Sequence, residues 1–125
     1  MERTTLRKPR LHFDVADNPS HLTFDDGKEQ RRNIPWLHYT GARWEYDEPD
    51  TIRMEIGDWL VVIRGHNLGH LFQSIEDQTL MRIRALPELA EDVSRETDTF
   101  ATEIRFLRAA NKSGKRNRQA ELDLQ

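Results

Sequence analysis

The stretch that decides the fold spans residues 43–64 and reads RWEYDEPDTIRMEIGDWLVVIR. Apolar and charged side chains alternate over residues 52–56, which is the pattern of a strand with one buried face. Gly57 and Asp58 form a two-residue connection typical of a tight hairpin. Residues 59–64 are almost continuously apolar, which predicts a central strand covered on both faces. Together these patterns predict a three-stranded antiparallel meander.

The first strand of the meander carries two aromatic residues, Trp44 and Tyr46, on one face. Large rings are usually buried, so we expect both to join Ile52 in the core. The alternative is that the two rings stack nucleic-acid bases. The acidic residues around and after them would repel phosphates, which disfavours that alternative.

Two short strands are predicted before the meander. Leu11, Phe13 and Val15 alternate with polar residues, as expected for a strand with one buried face. Residues 21–24 predict a second strand, and Asp-Asp-Gly at residues 25–27 is a hairpin signal that leads into a polar edge strand or loop.

A helix is predicted after Gly65, where the apolar spacing changes. Four apolar residues then recur at the spacing of one helix face: Leu68, Leu71, Phe72 and Ile75. We therefore expect a helix near residues 67–77, with Asn67 as its N-cap. Residues 79–84 alternate again and predict a further strand.

A second helix is expected after Pro87, because proline favours a first helical turn. Apolar residues recur beyond it at helical spacing, at Leu86, Leu89, Val93, Phe100, Ile104 and Leu107. Residues 99–108 could equally form a strand, and we favour the helix. The predicted fold class is α+β, an antiparallel sheet of about five strands with one or two packed helices.

Apolar residues are concentrated in the middle of the chain, and both of its ends are polar. A chain of 125 residues suits one domain. We expect a flexible basic arm at residues 1–10, a single α+β domain at residues 11–108, and a flexible basic and polar tail at residues 109–125.

Composition excludes several classes of function. A formal net charge of -3 gives no global attraction to nucleic acid or to anionic membranes. The lack of cysteine excludes disulfides, a thiolate nucleophile and cysteine-based metal sites, and it suits a cytoplasmic protein. No apolar run approaches the roughly 20 residues of a spanning helix, so we expect no membrane partner. We assign no catalytic residue and no cofactor, and expect a non-enzymatic protein.

One candidate metal site is suggested by His66 and His70. Two histidines at i and i+4 on a helix point the same way, as two ligands of one metal ion must. Asp77 lies on a similar face and could add a carboxylate. Two surface histidines are the simpler interpretation, because the residues between them lack the glutamate of zinc-protease helices.

The preferred function is a small interaction module that acts through protein contacts, with a protein partner or a second copy of the chain. The apolar stripe of the expected second helix could cover its own sheet or pack on such a partner. An alternative is nucleic-acid binding without sequence preference. The basic residues that would serve it are Arg105, Arg108, Lys112, Lys115, Arg116 and Arg118.

Overall fold

The computed structural model describes residues 10–91 and 97–109. The expected basic arm, apart from Arg10, and the expected tail, apart from Ala109, lie outside the described residues. The strands are β1 (Phe13–Val15), β2 (His21–Asp25), β3 (Arg31–Pro35), β4 (Tyr39–Trp44), β5 (Thr51–Ile56), β6 (Trp59–His66), β7 (Leu80–Arg84) and β8 (Phe100–Arg108). The helix α1 spans Gly69–Glu76, and short 3₁₀ turns lie at Trp36–His38 and Pro87–Leu89.

The strands form two sheets of four. The first sheet has the order β1-β7-β2-β3 and contains one parallel pair, β2 with β7. The second sheet has the order β4-β5-β6-β8 and is antiparallel throughout. The α+β class and the prevalence of antiparallel pairing are confirmed. The expectation of one sheet with about five strands is wrong, because β3 and β8 also form strands and the eight divide between two sheets.

The predicted meander is β4-β5-β6 of the second sheet. Trp44 pairs with Ile52 across β4 and β5, and Ile56 pairs with Trp59 across β5 and β6. Gly57 closes the second turn with a φ of 62°, a conformation in which glycine is favoured. The β6 prediction is correct in part. Val61 is fully buried, whereas the opposite face of β6 is half-buried rather than covered.

The helix expected after Pro87 is wrong for residues 100–108, which form β8. A single 3₁₀ turn follows Leu86, residues 92–96 lie outside the described ranges, and Phe100–Arg108 is a strand that pairs with β6. Phe100 and Ile104 are four residues apart, a spacing that one helix face and one strand face share. Pairing along β6 decides between them, and it satisfies the backbone hydrogen bonds of both strands.

Both sheets and α1 contribute to one hydrophobic core. Its members are Leu22, Phe24, Ile34, Trp36, Ile52, Met54, Ile56, Val61, Ile63, Leu68, Leu71, Ile75, Leu80, Ile83, Ala85, Ala101 and Ile104. Ile52 is buried as expected. Within the two described ranges, no helix has the length and apolar character to cross a membrane.

Three residues expected in the core are not there. Tyr46 is fully exposed, because β4 ends at Trp44 and Tyr46 belongs to the turn that follows. Leu11 and Val15 are about half exposed. Val15 lies at the end of β1, a three-residue strand at the edge of the first sheet, where burial is incomplete.

Candidate functional site

An open cleft of about 670 Å³ lies where the end of β6 meets the start of α1. This β6–α1 cleft is lined by Trp44, Pro49, Asp50, Gly65, His66, Asn67, Leu68, Gly69, His70, Gln73, Thr97 and Thr99. Its volume falls in the range of about 300–1,000 Å³ that is usual for small-molecule sites.

The junction between β6 and α1 forms one wall of the cleft. Asn67 has a φ of 52°, a left-handed conformation that asparagine adopts more readily than most residues. Its side-chain amide donates a hydrogen bond to the carbonyl of Asp98 at 3.2 Å, and its own carbonyl accepts one from the Thr99 hydroxyl at 2.7 Å. Asn67 therefore anchors the junction to the segment before β8. The expected N-cap role is wrong, because Leu68 occupies that position.

Trp44 forms a second wall and is held in place by two contacts. Its indole Nε1 donates a hydrogen bond to the carbonyl of Pro49 at 3.0 Å. Its ring lies 5.5 Å from the ring of Phe72 on α1. Gly69 faces the same ring, since a Cβ there would lie 3.8 Å from the Trp44 Cη2 atom. The indole is therefore oriented before any ligand arrives.

Asp50 adds a carboxylate at the end of the turn between β4 and β5. The Thr51 hydroxyl donates to its Oδ1 atom at 3.1 Å, and the Arg64 guanidinium is 3.8 Å from its Oδ2 atom. The Asp50 carbonyl accepts the Gly65 N–H at 2.9 Å, which fixes the backbone beside the cleft. Both charged groups are more than half exposed, so their ion pair is a weak one.

The two histidines of the expected metal site share the β6–α1 cleft. His66 is half-buried at the end of β6, with its ring 5.5 Å from that of Phe100, and His70 is exposed in the first turn of α1. Asp77 is the C-cap of α1, roughly 10 Å further along the helix, and does not line the cleft. Among the described residues, no group of three or more histidine or acidic side chains could hold a metal ion.

The basic residues proposed for nucleic-acid binding do not form one surface in the described part of the chain. Arg105 and Arg108 are three residues apart on β8, so they point to opposite faces of the sheet. The Arg108 guanidinium lies 4.9 Å from the Trp59 ring centre. Four other candidates lie outside the described residues, namely Lys112, Lys115, Arg116 and Arg118.

A second candidate surface lies on the side of the second sheet that faces away from the core, and we call it the outer face. Leu60 pairs directly with Leu107, which is 38% exposed, and Val62 pairs with Arg105. A hollow of about 190 Å³ beside Leu60 is lined by Gly41, Ala42, Arg43, Arg53, Glu55 and Leu60.

The helix expected over residues 99–108 left no strand beside β6 to complete the outer face, so the sequence does not predict it. The alternation of Leu60 and Val62 with buried neighbours in β6 was a usable signal for it. The continuous apolar run that contains Leu60 and Val62 predicts burial on both faces instead.

Comparison with known protein families, with curated proteins and with solved structures finds no match to this chain.

Proposed function

We propose that the protein is a non-enzymatic interaction module that binds protein partners, including a second copy of itself, through the outer face of the second sheet. The observation that supports this most is the apolar centre of that face. Leu60, Val62 and Leu107 are neighbours by cross-strand pairing and remain partly exposed. Covering such a surface is favourable by about 25 cal/mol for each Å² removed from water.

Arginines surround this apolar centre. Arg53 pairs with Val62 across β5 and β6, Arg105 pairs with Val62 from β8, and Arg43 lies opposite Arg53 on β4. An apolar centre with arginine around it resembles the composition of protein interfaces, where arginine is enriched and often dominates the binding energy.

Acidic residues share the same face, which supports self-association. Glu55 pairs with Leu60, and Glu103 pairs with Arg64. In a twofold-symmetric dimer the same patch meets itself, so a face with both charges can place the arginines of one copy against the acids of the other.

Oligomeric state measured against concentration tests this function. We expect the wild-type chain to dimerise in sedimentation or light-scattering measurements. Leu107→Glu should abolish dimer formation, because it places a charge in the apolar centre. Met81→Glu is a matched control, since Met81 is 39% exposed and lies on β7 of the first sheet.

The expected outcome is loss of the dimer in the Leu107 variant and its retention in the Met81 variant. Equal effects of the two variants, or a wild-type chain that stays monomeric at every concentration, would contradict self-association through the outer face.

Metal binding is a second candidate function, supported by the presence of His66 and His70 in one cleft. Titration of the untagged protein with Zn²⁺ or Ni²⁺, followed by the NMR signals of the histidine rings, tests it. Both rings should shift together, and His70→Ala should prevent the shift of His66. Independent or absent shifts would eliminate this function.

A further inference from the structure

Among the described residues that line the β6–α1 cleft, the formal charge comes from one side chain. Asp50 is the one formally charged side chain among the described residues that line it, with the histidines taken as neutral. None of the described lining residues is a lysine or an arginine. Arg64 approaches the Asp50 carboxylate from outside the lining at 3.8 Å, and both side chains are more than half exposed. An exposed pair at this distance is worth at most about 1 kcal/mol, so the carboxylate stays available to a second cation.

Aromatic rings occupy the cleft beside this carboxylate. Trp44 is fixed by its hydrogen bond to Pro49 and by its packing on Phe72. The His66 ring is packed against Phe100, and His70 adds a second imidazole. Indole is the side chain with the strongest attraction for a cation over its face, and tryptophan beside a carboxylate is a combination that suits alkylated ammonium groups.

The remaining lining groups suit the same ligand. Gln73 and Thr97 are exposed, and their side-chain oxygens can accept hydrogen bonds from an N–H or hydroxyl group of the ammonium ligand. An anion would meet the Asp50 carboxylate in the described lining, whereas Arg64 lies outside that lining and is paired with the same carboxylate, which disfavours carboxylates and phosphates.

From this combination of one carboxylate, an immobilised indole and two imidazoles in a cleft of ligand size, we infer that the β6–α1 cleft binds a small organic ammonium cation. The cation would lie between the Trp44 ring and the Asp50 carboxylate. This site is separate from the outer face, so it stands or falls independently of the proposed protein contacts.

The three tryptophans of the chain provide the test, because each indole N–H gives its own NMR signal. Choline is the probe, and 3,3-dimethyl-1-butanol is a control of the same shape without the positive charge. Butyrate is the control of opposite charge. We expect choline to cause a saturable shift of the Trp44 signal while the Trp36 and Trp59 signals stay in place.

Substitutions in the turn between β4 and β5 test whether the Asp50 carboxylate is the group that attracts the cation. Asp50→Asn should weaken choline binding roughly fivefold to tenfold, as expected for loss of one nearby opposite charge. Asp47→Asn is the matched control, because Asp47 lies in the same turn but does not line the cleft. Trp44→Phe keeps a ring but should weaken binding in calorimetry, because phenyl attracts cations less than indole does.

A peptide that contains trimethyllysine is titrated in parallel with choline. Comparing the two affinities shows whether the cleft prefers a free ammonium compound or a modified side chain of another protein, and binding of either one supports the inference. The inference is overturned if Trp44 shows no saturable shift with choline. It is also overturned if the neutral alcohol or butyrate binds as well as choline, or if Asp47→Asn weakens binding as much as Asp50→Asn.

Discussion

The guanidinium carbon of Arg32 lies 4.0 Å from the centre of the Trp59 ring, and this contact joins the two sheets. Arg32 is on β3 of the first sheet, and Trp59 begins β6 of the second. The same guanidinium lies 5.2 Å from the Phe106 ring, and Arg108 approaches Trp59 at 4.9 Å. Within the described residues the Arg32 Nε atom is buried without a hydrogen-bond partner, so contact with the aromatic rings offsets part of the cost of its burial.

Replacing this ring should therefore weaken the fold. We expect Trp59→Leu to lower the free energy of unfolding by about 1–3 kcal/mol, from lost ring packing and lost attraction to the two guanidinium groups. Urea denaturation measures the change. Tyr46→Leu is the control, because Tyr46 is fully exposed and its loss should change stability by less than about 0.5 kcal/mol. Similar effects of both substitutions would contradict a structural role for the Arg32–Trp59 contact.

The meander was predictable from sequence because each of its strands pairs with the next strand along the chain. Residues 52–56 alternate, Gly57 allows the tight turn, and the partner strand follows at once. The strand β8 was not predictable in the same way, since α1 and β7 lie between it and its partner β6 in the chain and its apolar spacing fits a helix equally well. The spacing of apolar residues within one segment does not show which distant strand that segment pairs with, because this pairing depends on tertiary contacts.

The candidate cleft was half predictable for the same reason. His66 and His70 are close in sequence, and their i, i+4 spacing indicated a shared location. Trp44, Asp50 and Thr99 reach the cleft from other strands and loops. No local pattern relates them to the histidines, so the chemistry of the cleft was accessible only from the fold.

A buried carboxylate fixes the start of the described chain. Asp98 is fully buried and accepts the backbone N–H of Arg10 at 3.1 Å, and the His12 Nε2 atom lies 3.2 Å from its other oxygen. His12→Ala should destabilise the protein by about 2 kcal/mol, because it removes one partner of a buried charge. Combination with Asp98→Asn in a double-mutant cycle should give a coupling energy above about 1 kcal/mol.

The matched control for this prediction is His21→Ala. The His21 ring also bonds a neighbouring side chain, Ser20, at 3.0 Å, but in an exposed position. Its loss should change stability by less than about 0.5 kcal/mol. Additive effects of His12→Ala and Asp98→Asn would show that the two side chains do not stabilise each other.

The turn between β2 and β3 depends on an ionised carboxylate. Asp26 Oδ1 accepts the backbone N–H groups of Lys28, Glu29 and Gln30 at 2.9–3.1 Å. These hydrogen bonds, first that from Lys28, hold the pKa of Asp26 below its ordinary value. A lowered pKa in the folded state adds stability above the ordinary aspartate pKa, and that stability is lost as pH falls through the lower folded-state pKa.

Asp26→Asn should therefore destabilise the protein at neutral pH and have progressively less effect as the solution is acidified below about pH 4. Thermal unfolding of both proteins from pH 7 to pH 2.5 measures the difference. Asp47→Asn, in an exposed turn, should show no such convergence. A difference between wild type and Asp26→Asn that stays constant with pH would exclude the carboxylate charge as its cause.

Two glycines beside the β6–α1 cleft should respond oppositely to the same substitution. A Cβ at Gly65 would collide with the Phe100 carbonyl oxygen and come within 2.9 Å of the Ala101 Cα, both backbone atoms of the paired strand β8. Gly65→Ala should therefore cost about 3 kcal/mol or more, because one of the strands must shift. Among the described residues, a Cβ at Gly69 would meet only the Trp44 ring, at an ordinary contact distance of 3.8 Å, and Gly69 is the first residue of α1. Gly69→Ala should be neutral or stabilise by up to about 1 kcal/mol, because alanine restricts the unfolded chain more than glycine does. Urea denaturation of the two variants checks the pair, and equal destabilisation by both would contradict the close approach of β6 and β8 at Gly65.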